Sequence, residues 1–70
     1  MKYIQNTSFT VSKKPKRSFK LGETYKIYYI NPNAESGIEY TFISKNGHIK
    51  EIFESTDEAD VIIDKMKGEK

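Results

Sequence analysis

Cysteine and tryptophan are absent from this chain, and histidine occurs once, at position 48. Small secreted domains usually compensate for a thin core with disulfides, so the lack of cysteine favours a reducing compartment, most simply the cytoplasm. Without cysteine, and with His48 alone, none of the common sets of zinc ligands can be assembled. We therefore expect no metal site and no cofactor.

Long apolar runs and the common catalytic motifs are missing as well. The first six residues contain no apolar run of signal-peptide length, and no segment could span a bilayer, so a membrane partner is not expected. Phosphate-binding glycine loops, nucleophile elbows and calcium-binding loops are absent from the sequence. His48 follows a turn signal and is expected to be solvated rather than to act as a general base. The sequence therefore predicts no catalytic residue and no enzyme.

The chain does contain many aromatic residues, five tyrosines and four phenylalanines among 70 residues. A chain of this length forms one domain, residues 1–70, and buries only about 60% of its unfolded surface. Each aromatic side chain buries roughly 150–250 Å², so these rings can supply most of a small core.

Charge is distributed unevenly although the net charge is only +2. Residues 1–26 carry seven basic side chains and one acidic one, whereas residues 27–70 carry five basic and nine acidic ones. Halves of opposite sign indicate a polarised surface, which matters for the choice of partner.

The last third of the sequence predicts a helix over residues 56–67. Ser55 and Glu58 have the spacing of a capping box, in which the Ser55 hydroxyl accepts from the Glu58 amide and the Glu58 carboxylate accepts from the Ser55 amide. Gly68 suits the position after the last turn. The apolar stripe at helical spacing consists of Ala59, Ile62, Ile63 and Met66. The acidic residues Asp57, Glu58, Asp60 and Asp64 are expected to form a solvated flank.

The segment before the helix predicts a β-hairpin. Asn46-Gly47 is the preferred pair for a two-residue turn, and taken as the turn it places Phe42 opposite Glu51 and Tyr40 opposite Phe53. One face then contains Ile38, Tyr40, Phe42, Ile49 and Phe53, and the other contains Glu39, Thr41, Ile43, Lys50 and Ile52. We expect the helix to cover the first of these faces.

A third strand is predicted over residues 24–30, with Tyr25, Ile27 and Tyr29 on one side. Residues 31–37 are rich in Asn, Pro, Ser and Gly and are expected to form a loop. The predicted fold is therefore α+β, a three-stranded antiparallel meander over residues 24–53 packed against one C-terminal helix. The alternation of Phe9, Val11, Phe19 and Leu21 predicts one or two further short N-terminal strands. Residues 1–6 are expected to form either a strand or a tail.

The candidate binding residues begin with a basic loop at residues 13–17. Pro15 disfavours helix there, so the loop is expected to present its cations to solvent, where they would neutralise phosphates. A solvated loop that maintains solubility is the alternative. On the predicted sheet, Tyr28 is the ring expected to be exposed, while Tyr25, Tyr29, Tyr40, Phe42 and Phe53 are expected in the core. The predicted nucleic-acid-binding residues are Lys13, Lys14, Lys16, Arg17, Lys20, Lys26 and Tyr28.

The order of elements over residues 24–67 resembles that of the arm-binding domains of some phage-type integrases, whose sheet enters a DNA groove. The likeness depends on topology and on the Asn-Gly turn before a helix, and one fold hosts many functions.

Two hypotheses follow. The first is a noncatalytic nucleic-acid-binding accessory protein. The alternative is a small phage or mobile-element protein that binds and modulates or inhibits a host protein. A homodimer through an uncovered sheet face also stays open.

Overall fold

The computed structural model describes residues 7–68, which form four antiparallel strands and one helix. The strands lie in chain order across the sheet, and each pairs with its neighbour in sequence. This arrangement confirms the predicted α+β fold, with one short strand added before the three-stranded meander. The elements are β1 (Ser8–Thr10), β2 (Thr24–Ala34), β3 (Gly37–Ser44), β4 (Gly47–Phe53) and α1 (Thr56–Lys67). The prediction for residues 1–6 falls outside the described residues.

One face of the sheet carries the core, which helix α1 covers. Phe42 is completely buried, and its ring centroid lies 4.8 Å from that of Phe19 and 5.9 Å from that of Phe9. These edge-on contacts join the N-terminal segment to the central strands, and such pairs add to the stabilisation from burial. The buried apolar residues are Phe9, Val11, Phe19, Tyr25, Ile27, Tyr40, Phe42, Phe53, Ala59, Ile63 and Met66.

Helix α1 has the predicted bounds and the predicted caps, with one change. The Ser55 hydroxyl accepts a hydrogen bond from the Glu58 amide at 3.1 Å. The Glu58 carboxylate, however, accepts from the amide of Glu54 at 2.7 Å, one residue before the expected donor. At the other end Gly68 adopts a left-handed conformation (φ 88°), and its amide donates to the carbonyls of Asp64 and Lys65. Within the described residues, no helix is both long and apolar enough to cross a membrane.

The hairpin between β3 and β4 turns one residue earlier than predicted. Lys45 and Asn46 form the turn, and Ser44 pairs with Gly47, so the predicted register is wrong by two residues. Asn46 favours this position because its amide donates to the Ser44 hydroxyl at 3.2 Å and its side chain donates to the Glu23 carboxylate at 2.9 Å. A two-residue slip preserves the alternation of side chains. The predicted core face is therefore confirmed, with Tyr40, Phe42 and Phe53 buried.

Strand β2 continues through most of the segment predicted as a loop. It extends to Ala34, and only Glu35 and Ser36 connect it to β3. Strand β1 pairs with β2 only over residues 24–26, so the distal half of β2 forms a sheet edge within residues 7–68. Proline, which has no amide hydrogen to donate, is tolerated on such an edge, and this explains why Pro32 does not end the strand.

The N-terminal segment contributes one strand and then an anchored loop. Phe9, Val11 and Phe19 are buried as the alternation predicted, but Leu21 is 64% exposed and residues 19–21 form no strand. The reason is a local turn, in which the Glu23 amide donates to the carbonyl of Lys20 at 3.2 Å. The Gly22 amide donates to the carbonyl of Val11 at 2.7 Å. This turn brings the loop back to the end of β1 before β2 begins.

Candidate nucleic-acid interface

A β-bulge in β2 determines which tyrosines are exposed. Ile27 pairs with Phe42, but Tyr29 pairs with Thr41, so one extra residue, Tyr28, is accommodated opposite β3. An extra residue reverses the inward and outward alternation beyond it. Tyr28 is 60% exposed, as predicted. Tyr29 was predicted in the core and is instead 50% exposed, because the bulge turns it to the side opposite Tyr25 and Ile27.

The two tyrosines lie on the sheet surface that faces away from the helix. We call this surface the outer face and define it by Lys26, Tyr28, Tyr29, Thr41, Ile43, His48 and Lys50. The strand register arranges these residues in two cross-strand rows. Lys26, Ile43 and His48 lie side by side in the first row, and Tyr29, Thr41 and Lys50 form the second, with Tyr28 in the bulge.

Two open depressions follow these rows. One, of about 340 Å³, is lined by both tyrosines together with Thr41, Ile43, His48 and Lys50. The other, of about 440 Å³, begins at Ile43 and includes Lys26 and Ser8 of the neighbouring strands, together with Lys45 and the acidic residue Glu23. Because the depressions share Ile43, they form one path with an apolar centre and a lysine towards each end.

Lys26 and Tyr28 were predicted as site residues, and the structure brings them together on this surface. Lys50 was not included in the predicted site, although the hairpin pattern had already placed it on the face opposite Phe42. Tyr29 was missed because no feature of the sequence indicates the bulge.

The basic loop is anchored to the end of the helix rather than to the outer face. The amides of Ser12 and Lys13 both donate to the carbonyl of Met66 at 2.9 Å, and the Ser12 hydroxyl donates to the carbonyl of Lys67 at 2.8 Å. The aliphatic part of Lys13 lies against Gly68. Lys13 is therefore anchored at the C-terminal end of the helix, the negative end of the helix dipole, where cations are stabilising.

Arg17 is held by a second set of contacts on the helix side of the sheet. Its Nη1 donates to the carbonyl of Ile52 at 2.8 Å, and the guanidinium lies 4.7 Å from the centre of the Phe53 ring. Ion pairs of 3.6 and 3.9 Å join it to Glu51 and Glu58. Arg17 also has a left-handed backbone (φ 55°), which is unfavourable for a residue other than glycine. These contacts give the side chain a structural role.

The remaining loop lysines are exposed. Lys14 and Lys16 lie in solvent between the two anchors, and Lys20 lies near the hairpin turn, where its amide donates to the Tyr25 hydroxyl at 3.0 Å. Besides these three exposed lysines, the predicted site residues fall into two groups. Lys13 and Arg17 lie on the helix side, whereas Lys26 and Tyr28 lie on the outer face.

Several acidic side chains of the C-terminal half also lie on the helix side. Glu51 and Glu58 pair with Arg17, as described above. Asp60 was expected in a solvated flank and is instead buried against the sheet, with 8% of its surface exposed. Burial, and secondarily the nearby charge of Asp60, raises the pKa of the Tyr40 phenol above its ordinary value. On the opposite side Glu39 lies in the row beyond Tyr29, next to Asn31 and Ile52.

Comparison with known proteins found no match among family models, curated proteins or solved structures. The likeness to integrase arm-binding domains therefore rests on the order of the secondary-structure elements. Within residues 7–68 no group of three or more His, Cys, Asp or Glu side chains is placed to hold a metal ion.

Proposed function

We propose that this protein is a noncatalytic nucleic-acid-binding accessory protein whose principal contact surface is the outer face. The observation that carries the proposal is the bulge, which exposes Tyr28 and Tyr29 side by side between Lys26 and Lys50. Aromatic rings on an open sheet can stack on bases, and neighbouring lysines can neutralise phosphates. The outer face combines both kinds of group.

The distribution of charge supports the same proposal. An acidic C-terminal half would repel phosphate if its carboxylates faced the ligand, but Glu51 and Glu58 face Arg17 on the helix side. Glu39 borders the outer face at one end, beyond the tyrosine row. At the other end Glu23 lines the depression beside Lys26, and its carboxylate accepts from the Asn46 side chain. The cations of the outer face are therefore separated from the paired carboxylates by the thickness of the sheet.

The basic loop has a secondary part in this proposal. Lys14, Lys16 and Lys20 are exposed. Lys20 lies in a depression that also includes His48, so it is available for a phosphate contact at the margin of a nucleic acid bound on the outer face. Lys13 and Arg17 contribute charge to the same region, but their backbone and guanidinium contacts hold them to the helix and to β4. We expect substitutions in the loop to weaken binding less than substitutions on the outer face.

The second candidate is a small phage or mobile-element protein that modulates or inhibits a host protein in the cytoplasm. The apolar centre of the outer face at Ile43, next to two tyrosines, favours this candidate because such residues supply much of the energy of protein interfaces. Self-association through the same face would also bury these residues, and light scattering over a range of protein concentrations would detect the dimer.

A salt titration tests the nucleic-acid proposal. Binding of labelled oligonucleotides is measured by fluorescence anisotropy from about 50 mM salt upwards, where electrostatic affinity is still strong. We expect Lys50→Ala to reduce the slope of log K against log salt by about 0.7–0.9, the value for one lost phosphate contact. Lys65→Ala is the matched control, because it removes one exposed lysine from the helix side.

The outcome separates the two candidates. Absence of binding by wild-type protein to both single-stranded and duplex oligonucleotides at about 50 mM salt would refute the nucleic-acid proposal. Recovery of a protein partner that resists nuclease treatment, and whose binding is lost in Ile43→Ala, would then support the protein-binding alternative.

A further inference from the structure

We infer that the ligand of the outer face is a single-stranded nucleic acid, an inference that rests on the proposed function. The two tyrosine rings are 60% and 50% exposed and line the same depression. In a duplex the faces of the bases are stacked on one another, whereas unpaired bases have faces free to stack on protein rings. The two exposed tyrosine rings of the outer face are therefore suited to stack on unpaired bases.

The polar side chains of the outer face are not those that usually contact base edges in the grooves of a duplex. Sequence-specific contacts to base edges are made mainly by arginine, asparagine and glutamine, which form bidentate hydrogen bonds, and by lysine. The outer face, as defined, contains two lysines, one histidine and one threonine beside its two tyrosines and Ile43, and Asn31 lies in the row beyond it. Two lysines can contact phosphates of either ligand, so the tyrosines favour the single strand.

The width of the sheet argues in the same direction. At the level of Lys26 all four strands lie side by side, from Ser8 of β1 to His48 of β4. Three spacings of about 4.8 Å make this row about 14 Å wide before side chains are counted, whereas the major groove of B-DNA is about 12 Å wide. A row of this width fits an open strand better than a groove.

The shape of the surface gives a path for that strand. The two depressions meet at Ile43, so a strand following both would pass from Lys50 and the tyrosines to Lys26. Bases would stack on the rings in the first depression, and phosphates would lie near the lysine at each end. A path of this kind reads sequence weakly, because every base has a face that can stack.

The experiment compares four probes: a labelled oligothymidine of about 15 nucleotides, an oligoribouridine of equal length, a duplex of equal length, and an abasic strand with the same phosphates. We expect both single strands to bind more tightly than the duplex. Tyr28→Ala and Tyr29→Ala should each weaken single-strand binding by about 5- to 150-fold, the range for losing one stacked base. Tyr28→Phe keeps the ring and should retain most of the affinity.

Two controls make the result specific. Leu21→Ala removes a side chain that is 64% exposed but lies in the loop, and it should leave binding unchanged. The abasic strand should be insensitive to Tyr28→Ala, because it has no base to stack. Since the chain contains no tryptophan, quenching of tyrosine fluorescence by the single strands gives an independent signal of stacking.

The inference and the proposed function fail in different ways. Duplex binding as tight as single-strand binding, with no loss in either tyrosine variant, would overturn the inference while leaving nucleic-acid binding in place. No binding of any probe would overturn both. Circular dichroism of each variant shows that a loss of affinity is not a loss of fold.

Discussion

Arg17 offers the sharpest test of how the loop is held, because one side chain makes four different contacts. Arg17→Ala removes the hydrogen bond to Ile52, the contact with the Phe53 ring and the ion pairs with Glu51 and Glu58. A partly exposed charged hydrogen bond contributes about 1 kcal/mol, the ring contact about 0.5–1 kcal/mol and the partly exposed ion pairs less than about 1 kcal/mol together. We expect a total loss of about 2 kcal/mol.

That loss is large for a chain of 70 residues, whose whole stability is about 4–10 kcal/mol. It should lower the melting temperature by about 8–16 °C, at about 4–8 °C for each kcal/mol in a domain of this size. Urea denaturation followed by circular dichroism gives the free energy directly. Lys14→Ala is the matched control, since it removes one exposed cation from the same loop and should change stability by less than about 0.5 kcal/mol.

The backbone of Arg17 supplies a second, independent check. Its left-handed conformation costs an alanine about 1–2 kcal/mol and costs glycine almost nothing. Arg17→Gly should therefore be more stable than Arg17→Ala, although it loses the same side-chain contacts and its unfolded chain is more flexible. An Arg17→Ala protein as stable as wild type would show that these contacts contribute nothing. If Arg17→Gly were less stable than Arg17→Ala, the backbone at residue 17 would not be strained.

Three further predictions concern the core, the helix cap and alkaline pH. Phe42→Ala should cost about 3–5 kcal/mol, because Phe42 is completely buried, and a chemical denaturation curve that stays at the wild-type midpoint would contradict this. Ser55→Ala should cost about 0.5–2 kcal/mol through loss of the bond to the Glu58 amide, and an unchanged thermal melt would rule out that cap. The raised pKa of Tyr40 means that the fold favours its neutral phenol. Its contribution to stability is therefore complete below about pH 10 and is lost as pH rises through the folded-state pKa. Absorbance titration should show a late-ionising tyrosine in wild type that is missing in Tyr40→Phe. An unchanged late part of the titration curve in Tyr40→Phe would refute the assignment.

Local sequence was sufficient to predict the helix and the buried side of the hairpin. The cap at Ser55, the apolar stripe and Gly68 all act within a few residues of one another, so their effects can be read without knowledge of the rest of the fold. The buried face of β3 and β4 also follows from alternation alone. It remained correct even though the turn lies one residue earlier, because a shift of two residues in the pairing leaves every side chain on its own side.

The features that were missed depend on contacts between distant segments. Whether Pro32 ends β2 depends on how far β1 extends along it, and the residues around the proline do not contain that information. The role of Arg17 depends on Ile52 and Phe53, more than 30 residues away. The position of Tyr29 depends on the bulge, and Tyr28-Tyr29-Ile30 is favourable for a regular strand, so propensity gives no warning of it.

The bulge also has a consequence for how this surface could have arisen and how it could be altered. If Tyr28 were deleted, Ile27 would still face the core, Tyr29 would take the next outward position and Ile30 would again point inward, each opposite its present partner on β3. The deletion would therefore leave one exposed ring instead of two and would not change the core. In evolutionary terms, insertion of one codon into an ordinary strand is enough to add a second ring to the surface, without any compensating substitution in the core.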